Sequence, residues 1–247
     1  MFENIIKFSA KKDYLDNIFE EDKPEPIIRN IPEWFKQLDP KDAQSIKHCM
    51  PFLDSLSFGY SIKMPQDMDL HHNFYNKDKN KFDSGRRYSL NDRSFLNHVF
   101  PDSSNDNHSL GQVGEKCPFS KKNSFLPIYK ILSPWIITTP PGYSCLFVPP
   151  LNNRDDRFEI VAGIVDTDNY PYAVNFPFVL NGDKYKTLKT IIKRGTPIAQ
   201  AIPFKRSSWK MEINEIEDET WYSLNRYFRL SFNKIYRNKW WIKKKCK

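Results

Sequence analysis

Between residues 125 and 204 apolar residues come in short, dense runs, each closed by Gly, Pro, Asn or Asp. "IYKIL", "WIITT", "SCLFVPP", "FEIVAGIVD", "YAVNFPFVL", "YKTLKTIIKRG" and "TPIAQAIPF" are β-branched and aromatic, and "PPGY" separates the second from the third as a turn. Their spacing of about 8–14 residues predicts an all-β sandwich or barrel. Upstream, Phe58, Tyr60, Ile62 and Met64 alternate with smaller or polar residues, the period of a half-buried strand, preceded by a short helix or turn. Residues 66–124 differ, being rich in Asn, Asp, Ser, Lys and His with islands such as "SFLNHVF". They predict a long polar excursion of loops with an edge hairpin, some of it ordered, because structureless stretches of that length are rare inside a domain.

The two ends follow other patterns. Prolines at 24, 26, 32 and 40 impose extended and turn geometry on the first segment. Ile27, Ile28, Ile31, Trp34, Phe35 and Leu38 are the side chains expected to dock it on the body. Near the other end Trp221, Leu224, Phe228, Phe232 and Ile235 recur at spacings of three and four, with Asp218 and Glu219 opening the block and basic residues closing it. That predicts an amphipathic helix over about 217–240, its apolar stripe packed on the core. The expected organisation is an N-terminal arm (1–45), one β domain (46–213) containing the excursion at about 66–124, and a C-terminal helix with a basic tail (214–247).

Composition sharpens this. Eighteen prolines, eight glycines and 15% aromatic residues in 247 suit an irregular β architecture better than a helical bundle. The net charge of +8 is uneven: nine basic and no acidic residues lie between Arg226 and Lys247, so the rest carries −1. A nucleic-acid-binding face would spread its charge over the body. Here a near-neutral body carries a basic tail, and Trp240, Trp241, Lys243, Lys244 and Lys245 combine rings with cations. Such a tail suits nucleic acid or an acidic membrane surface, or rings packed on the body with solvated lysines. No run of 18 apolar residues is present, so no transmembrane segment is expected. Cys49, Cys117, Cys145 and Cys246 are widely spaced, and Met1 leads into a mixed polar stretch. Together these suggest a reducing cytoplasm without disulfides.

Few residues carry a chemical signal. His71, His72, His108 and Cys117 lack metal-finger spacing and read as solvated loop residues. Cys145, among apolar neighbours, reads as a core residue. "GIVDTDNY" (163–170) and "RGTPIAQAIPF" (194–204) are the exception. Asp166 and Asp168 suit either a carboxylate site or a turn in which Asp and Asn bond their own backbone. Gln200 suits either a ligand contact or a buried tie between strands.

These two strings resemble consecutive motifs of the dUTPase and dCTP-deaminase superfamily, over about 45 of 247 residues. The resemblance implies a dUTPase-like distorted β-barrel or β-clip core, with the "PIAQ" strand packed beside the aspartate strand. It further implies trimers with intersubunit sites, Asp166 as the water-activating base, Tyr170 and Gln200 as nucleotide contacts, and magnesium on a triphosphate. The chain departs from the family at three points. Asn169 stands before Tyr170, "LFVPPLNN" replaces the Arg-Ser-Gly phosphate element, and a basic helix replaces the glycine-rich closing arm. A second, longer likeness runs through "IPEWFKQL", "SPWIITTPPGYSCLF", "GIVDTDNYPYAVNFPF" and "IKRGTPIAQAIPF". This series resembles a protein family of marine tailed phages and some bacteria that carries no activity to transfer.

Catalysis on a triphosphate needs preorganised donors around several negative charges, and two motifs of five do not provide them. The leading expectation is therefore a phage-type accessory or structural protein that acts as a non-catalytic binding scaffold without a cofactor. Its partner would be an unidentified protein or further copies of itself, in the host cytoplasm or on the virion. A magnesium-dependent deoxynucleotide triphosphate hydrolase, or a nucleotide-binding regulator, is the alternative.

Overall fold

The computed structural model describes residues 4–88, 107–230 and 235–247. The chain is mainly β, with fourteen strands in four antiparallel sheets among the described residues. No sheet closes on itself there, so the barrel expectation is not met.

The largest sheet carries both motifs. Its order is β11 (Gly163–Val165), β9 (Tyr143–Val148), β14 (Pro197–Lys205), β3 (Tyr60–Lys63) and β2 (Glu25–Pro26). The motif strands β11 and β14 are not neighbours, because β9 stands between them. Four consecutive buried residues of β14, Ile198 to Ala201, mark a strand covered on both faces. Gly59, at φ +102, lets the chain enter β3 so close to β14 that a Cβ there would lie 2.5 Å from the Ala201 carbonyl oxygen.

A second sheet runs β10 (Phe158–Ile160), β12 (Phe176–Leu180), β7 (Ile128–Ile131), β6 (Asn107–His108). A third runs β13 (Leu188–Ile192), β4 (Met68–Asn76), β5 (Lys81–Tyr88). The hairpin β4–β5 is the ordered edge element expected within the polar excursion, while "SFLNHVF" lies outside the described residues. β1 (Lys7–Ser9) pairs with β8 (Ile136–Thr138). One apolar core joins the sheets, with Ile62, Leu70, Ile137, Phe147, Phe176 and Ile198 among its members.

The N-terminal arm wraps this core. Tyr14, in helix α1 (Lys12–Leu15), is buried edge-on against Trp135. Ile27 is buried, as is Phe35 in α2 (Glu33–Gln37), whereas Ile28 and Trp34 stand nearly half exposed. The short helical turns there point consecutive residues in different directions, so not every expected anchor docks. Ion pairs complete the attachment. Lys63, almost wholly buried, meets Glu25 at 2.5 Å, and Arg194 meets Asp22 at 2.7 Å. Burial pushes the Glu25 carboxyl up, but hydrogen bonds from Lys63 and Asn30 outweigh it and leave the group below its ordinary value.

Helix α3 (Met50–Ser57) precedes β3, while α4 (Leu110–Val113) and α5 (Pro118–Lys122) follow β6. The C-terminal helix α6 (Asp218–Leu230) forms near its expected position. Its first two stripe residues, Trp221 and Leu224, are exposed, as are all of residues 207–217 that join the helix to β14. Phe232 lies outside the described residues. No helix among the described residues is long and apolar enough to cross a membrane.

Candidate functional site

β9 and β14 pair in antiparallel register from Gln200 opposite Val148 to Lys205 opposite Tyr143. Arg206 therefore emerges beside the turn that starts β9. That turn is "PPGY", closed by the Tyr143 N–H donating to the Pro140 carbonyl at 3.2 Å, with Gly142 at φ +83. A positive φ at this position is a conformation that glycine adopts without strain.

Beyond β11 the chain turns again. The N–H groups of Asn169 and Tyr170 both donate to the Asp166 carbonyl, at 3.0 and 2.9 Å. Thr167 points inward, its hydroxyl 2.7 Å from that of Thr139. Asp166 and Asp168 point towards Arg206. "DTDNY" is thus a turn, and its backbone bonds place two carboxylates on one arginine.

The arginine engages them unequally. Its guanidinium makes a two-pronged contact with Asp168, whose carboxylate also accepts from the Gly142 N–H at 2.8 Å. Arg206 also donates to the Tyr143 carbonyl and the Ser144 hydroxyl, both at 3.0 Å. Asp166 lies 3.3 Å from Arg206 and accepts from the Ser144 hydroxyl at 2.6 Å, with 64% of its side chain exposed. The hydrogen bonds from Arg206 hold the Asp168 carboxyl down at about 2, burial opposing them and the Gly142 amide assisting.

This constellation suits charge clamping better than hydrolysis. A magnesium ion would need the same carboxylate oxygens, and Asp168 already gives both of its oxygens to Arg206, whose positive charge lies where the metal would bind. The two aspartates do not fit a magnesium site. Arg206 and Ser144 were not singled out in the sequence. No local signal joins them to the acidic turn, since Arg206 lies 38 residues beyond Asp168 in the sequence.

Gln200 lies elsewhere. It is fully buried, its Oε1 accepting from the Leu151 N–H at 2.9 Å. Its Nε2 donates to the carbonyls of Ser55 at 3.1 Å and Phe58 at 2.6 Å, in and just past the last turn of α3. The side chain ties β14 to a helix end and to the loop after β9. Phe204, opposite Ser144, is four residues further along β14, about 13 Å at strand rise. Asp166 and Gln200 are not brought together. Tyr170 is partly exposed, edge-on to the more exposed Tyr172, with ring centroids 5.9 Å apart.

The tail is divided between the body and solvent. Trp241 Nε1 and Lys244 Nζ both donate to Asp54 Oδ2 on α3, at 3.0 and 2.6 Å. The Gly59 N–H donates to Cys246 Sγ at 3.2 Å, and burial pushes that thiol up. Trp240, Lys243 and Lys245 remain exposed.

The other signalled residues are also placed. Cys145 is buried in the core, where burial pushes its thiol up. His72 is not a solvated loop residue. It sits on β4, and burial lowers its affinity for a proton. The period-2 geometry that buries Met68 and Leu70 buries His72 as well. Among the described residues no three His, Cys, Asp or Glu side chains group as metal ligands. In comparisons with known proteins, no family model matches the chain and no curated protein matches it in sequence.

Proposed function

We propose that the protein is a non-catalytic binding scaffold, a phage-type accessory or structural protein whose β core follows a dUTPase-like clip. The observation that carries this reading is the fate of Gln200. Its hydrogen-bonding groups are committed to backbone inside the body, so it cannot reach a ligand that touches Asp166. The Arg206 fork on Asp168 supports the same reading, since it pairs that carboxylate internally.

The binding surfaces of such a scaffold are its exposed, chemically rich parts. Trp240, Lys243 and Lys245 suit an acidic partner, whether nucleic acid or the acidic face of a protein, and Trp241 and Lys244 hold them in place through Asp54. A setting in the host cytoplasm or on the virion belongs to this reading.

The test is a thermal-shift series with each deoxynucleoside triphosphate and magnesium, on the wild type and Asp166→Ala. A true ligand at 100 times its Kd stabilises by about 2.7 kcal/mol, roughly 5–11 °C for a chain of this size. The scaffold reading expects no such shift in either protein. A shift with one nucleotide that is lost in Asp166→Ala would overturn it in favour of a divergent nucleotide hydrolase or nucleotide-binding regulator.

A further inference from the structure

From Lys205 to Leu224 every residue is exposed. Residues 207–216 run without helix, turn or bend, and among the described residues none of their backbone groups is hydrogen-bonded to protein. The stretch reads Ser-Ser-Trp-Lys-Met-Glu-Ile-Asn-Glu-Ile. Trp209, Met211 and Ile213 occupy alternate positions and are 91, 83 and 88% exposed. An extended segment with an unpaired edge and one apolar face is a template for strand pairing. At 247 residues the body has a full core of its own, yet these large side chains contribute nothing to it.

We propose that this arm pairs with the same arm of a second copy, as an antiparallel two-stranded ribbon about a two-fold axis through Met211. The sequence around Met211 is self-complementary. In that register Met211 faces Met211, Trp209 faces Ile213, and Lys210 faces Glu212 of the other copy. Opposite charges therefore meet on one face and apolar side chains on the other, the cross-strand pairings that stabilise a ladder. Within one chain Lys210 and Glu212 lie 2.9 Å apart, already on a common face.

A bare two-stranded ribbon is marginal in water, so its apolar face needs a cover. Helix α6 begins two residues after Ile216 and displays Trp221 and Leu224, also exposed. One such helix from each copy lies over the six apolar side chains of the ribbon. Buried tryptophans count for about 150–250 Å² each, so this group approaches the roughly 800 Å² per partner of a stable interface. The isologous contact closes on itself and yields a dimer, not the trimer that the superfamily resemblance implies.

The test is sedimentation of the full chain, with charge variants that read the register. The wild type is expected at twice the 29.3-kDa chain mass. Lys210→Glu and Glu212→Lys each place like charges opposite one another, so each alone shifts at least tenfold toward monomer. Mixed together they form a heterodimer, and the double swap K210E/E212K restores the homodimer. Met211→Cys crosslinks between copies on mild oxidation, because residues facing each other in antiparallel strands lie within disulfide reach, whereas Lys210→Cys does not. A wild-type monomer at micromolar concentration overturns the proposal, and so does a monomer that floats with anionic vesicles through Trp209. A dimer indifferent to both charge variants overturns the register and the proposal with it.

Discussion

The Gln200→Leu substitution tests whether the buried amide is structural. Gln200 supplies an acceptor for the Leu151 N–H and donors for the Ser55 and Phe58 carbonyls. Carbonyls at a helix end have no intrahelical partner, so α3 depends on this side chain for its closure. Leucine leaves three buried backbone groups unpaired. At about 1–3 kcal/mol for each such group, with partial relief by local relaxation, the expected loss is about 3–5 kcal/mol. Gln200→Glu keeps the acceptor but places a carboxylate against two carbonyl oxygens, and is expected to cost at least as much. Urea unfolding followed by tryptophan fluorescence measures both, the midpoint falling while the slope m stays constant. The corresponding fall in Tm is roughly 6–20 °C for a chain of this size. A loss below about 1 kcal/mol would refute the reasoning and free Gln200 for a role at a ligand site.

Three further outcomes are expected. Arg206→Gln removes the fork on Asp168, whose carboxyl then rises from about 2 towards its ordinary 3.8, readable by carbon NMR of labelled aspartate. In the wild type, the stability tied to that depressed value is present above the ordinary one and disappears as pH falls through about 2. Glu25→Gln leaves the buried Lys63 ammonium without its carboxylate and is expected to cost about 3–5 kcal/mol in urea unfolding. Lys63→Met is expected to cost less, because Glu25 reaches water and keeps Asn30. His72 binds a proton more weakly folded than unfolded. Its contribution is complete above about pH 6.5 and falls away as pH drops through the lowered folded value. His72→Gln should flatten that part of the slope between pH 7 and pH 5.

The strands were legible where branched and aromatic residues alternated between clear turn signals, as in "FGYSIKM" and "SCLFVPP". The hairpin β4–β5 was legible only as a suggestion, because its buried positions include His72, a polar residue that conceals the period. The sheet order was not legible. β9 separates the two motif strands by pairings between distant residues, and no local pattern encodes that separation. The same cause hid the clamp at the acidic turn. Asp166 was conspicuous and Asp168 was the residue engaged, because its partner Arg206 is set by the β9–β14 register, 38 residues away. Of the helix stripe expected to pack on the core, Trp221 and Leu224 are exposed. Periodicity identifies an apolar face without naming what covers it.

The junction at Arg206 also has a mechanical meaning. Arg206 directly follows Lys205, the last residue of β14, so a pull on residues 207–217 reaches the sheet through that strand. Antiparallel ladder bonds lie across the strand axis, and β14 is bonded on both sides, to β9 and to β3. The two rows overlap only at Gln200 and Ala201, so a pull from beyond Lys205 loads the β9 row before the β3 row. The Arg206 fork on Asp168, placed where the arm leaves the sheet, meets the strain before either row does.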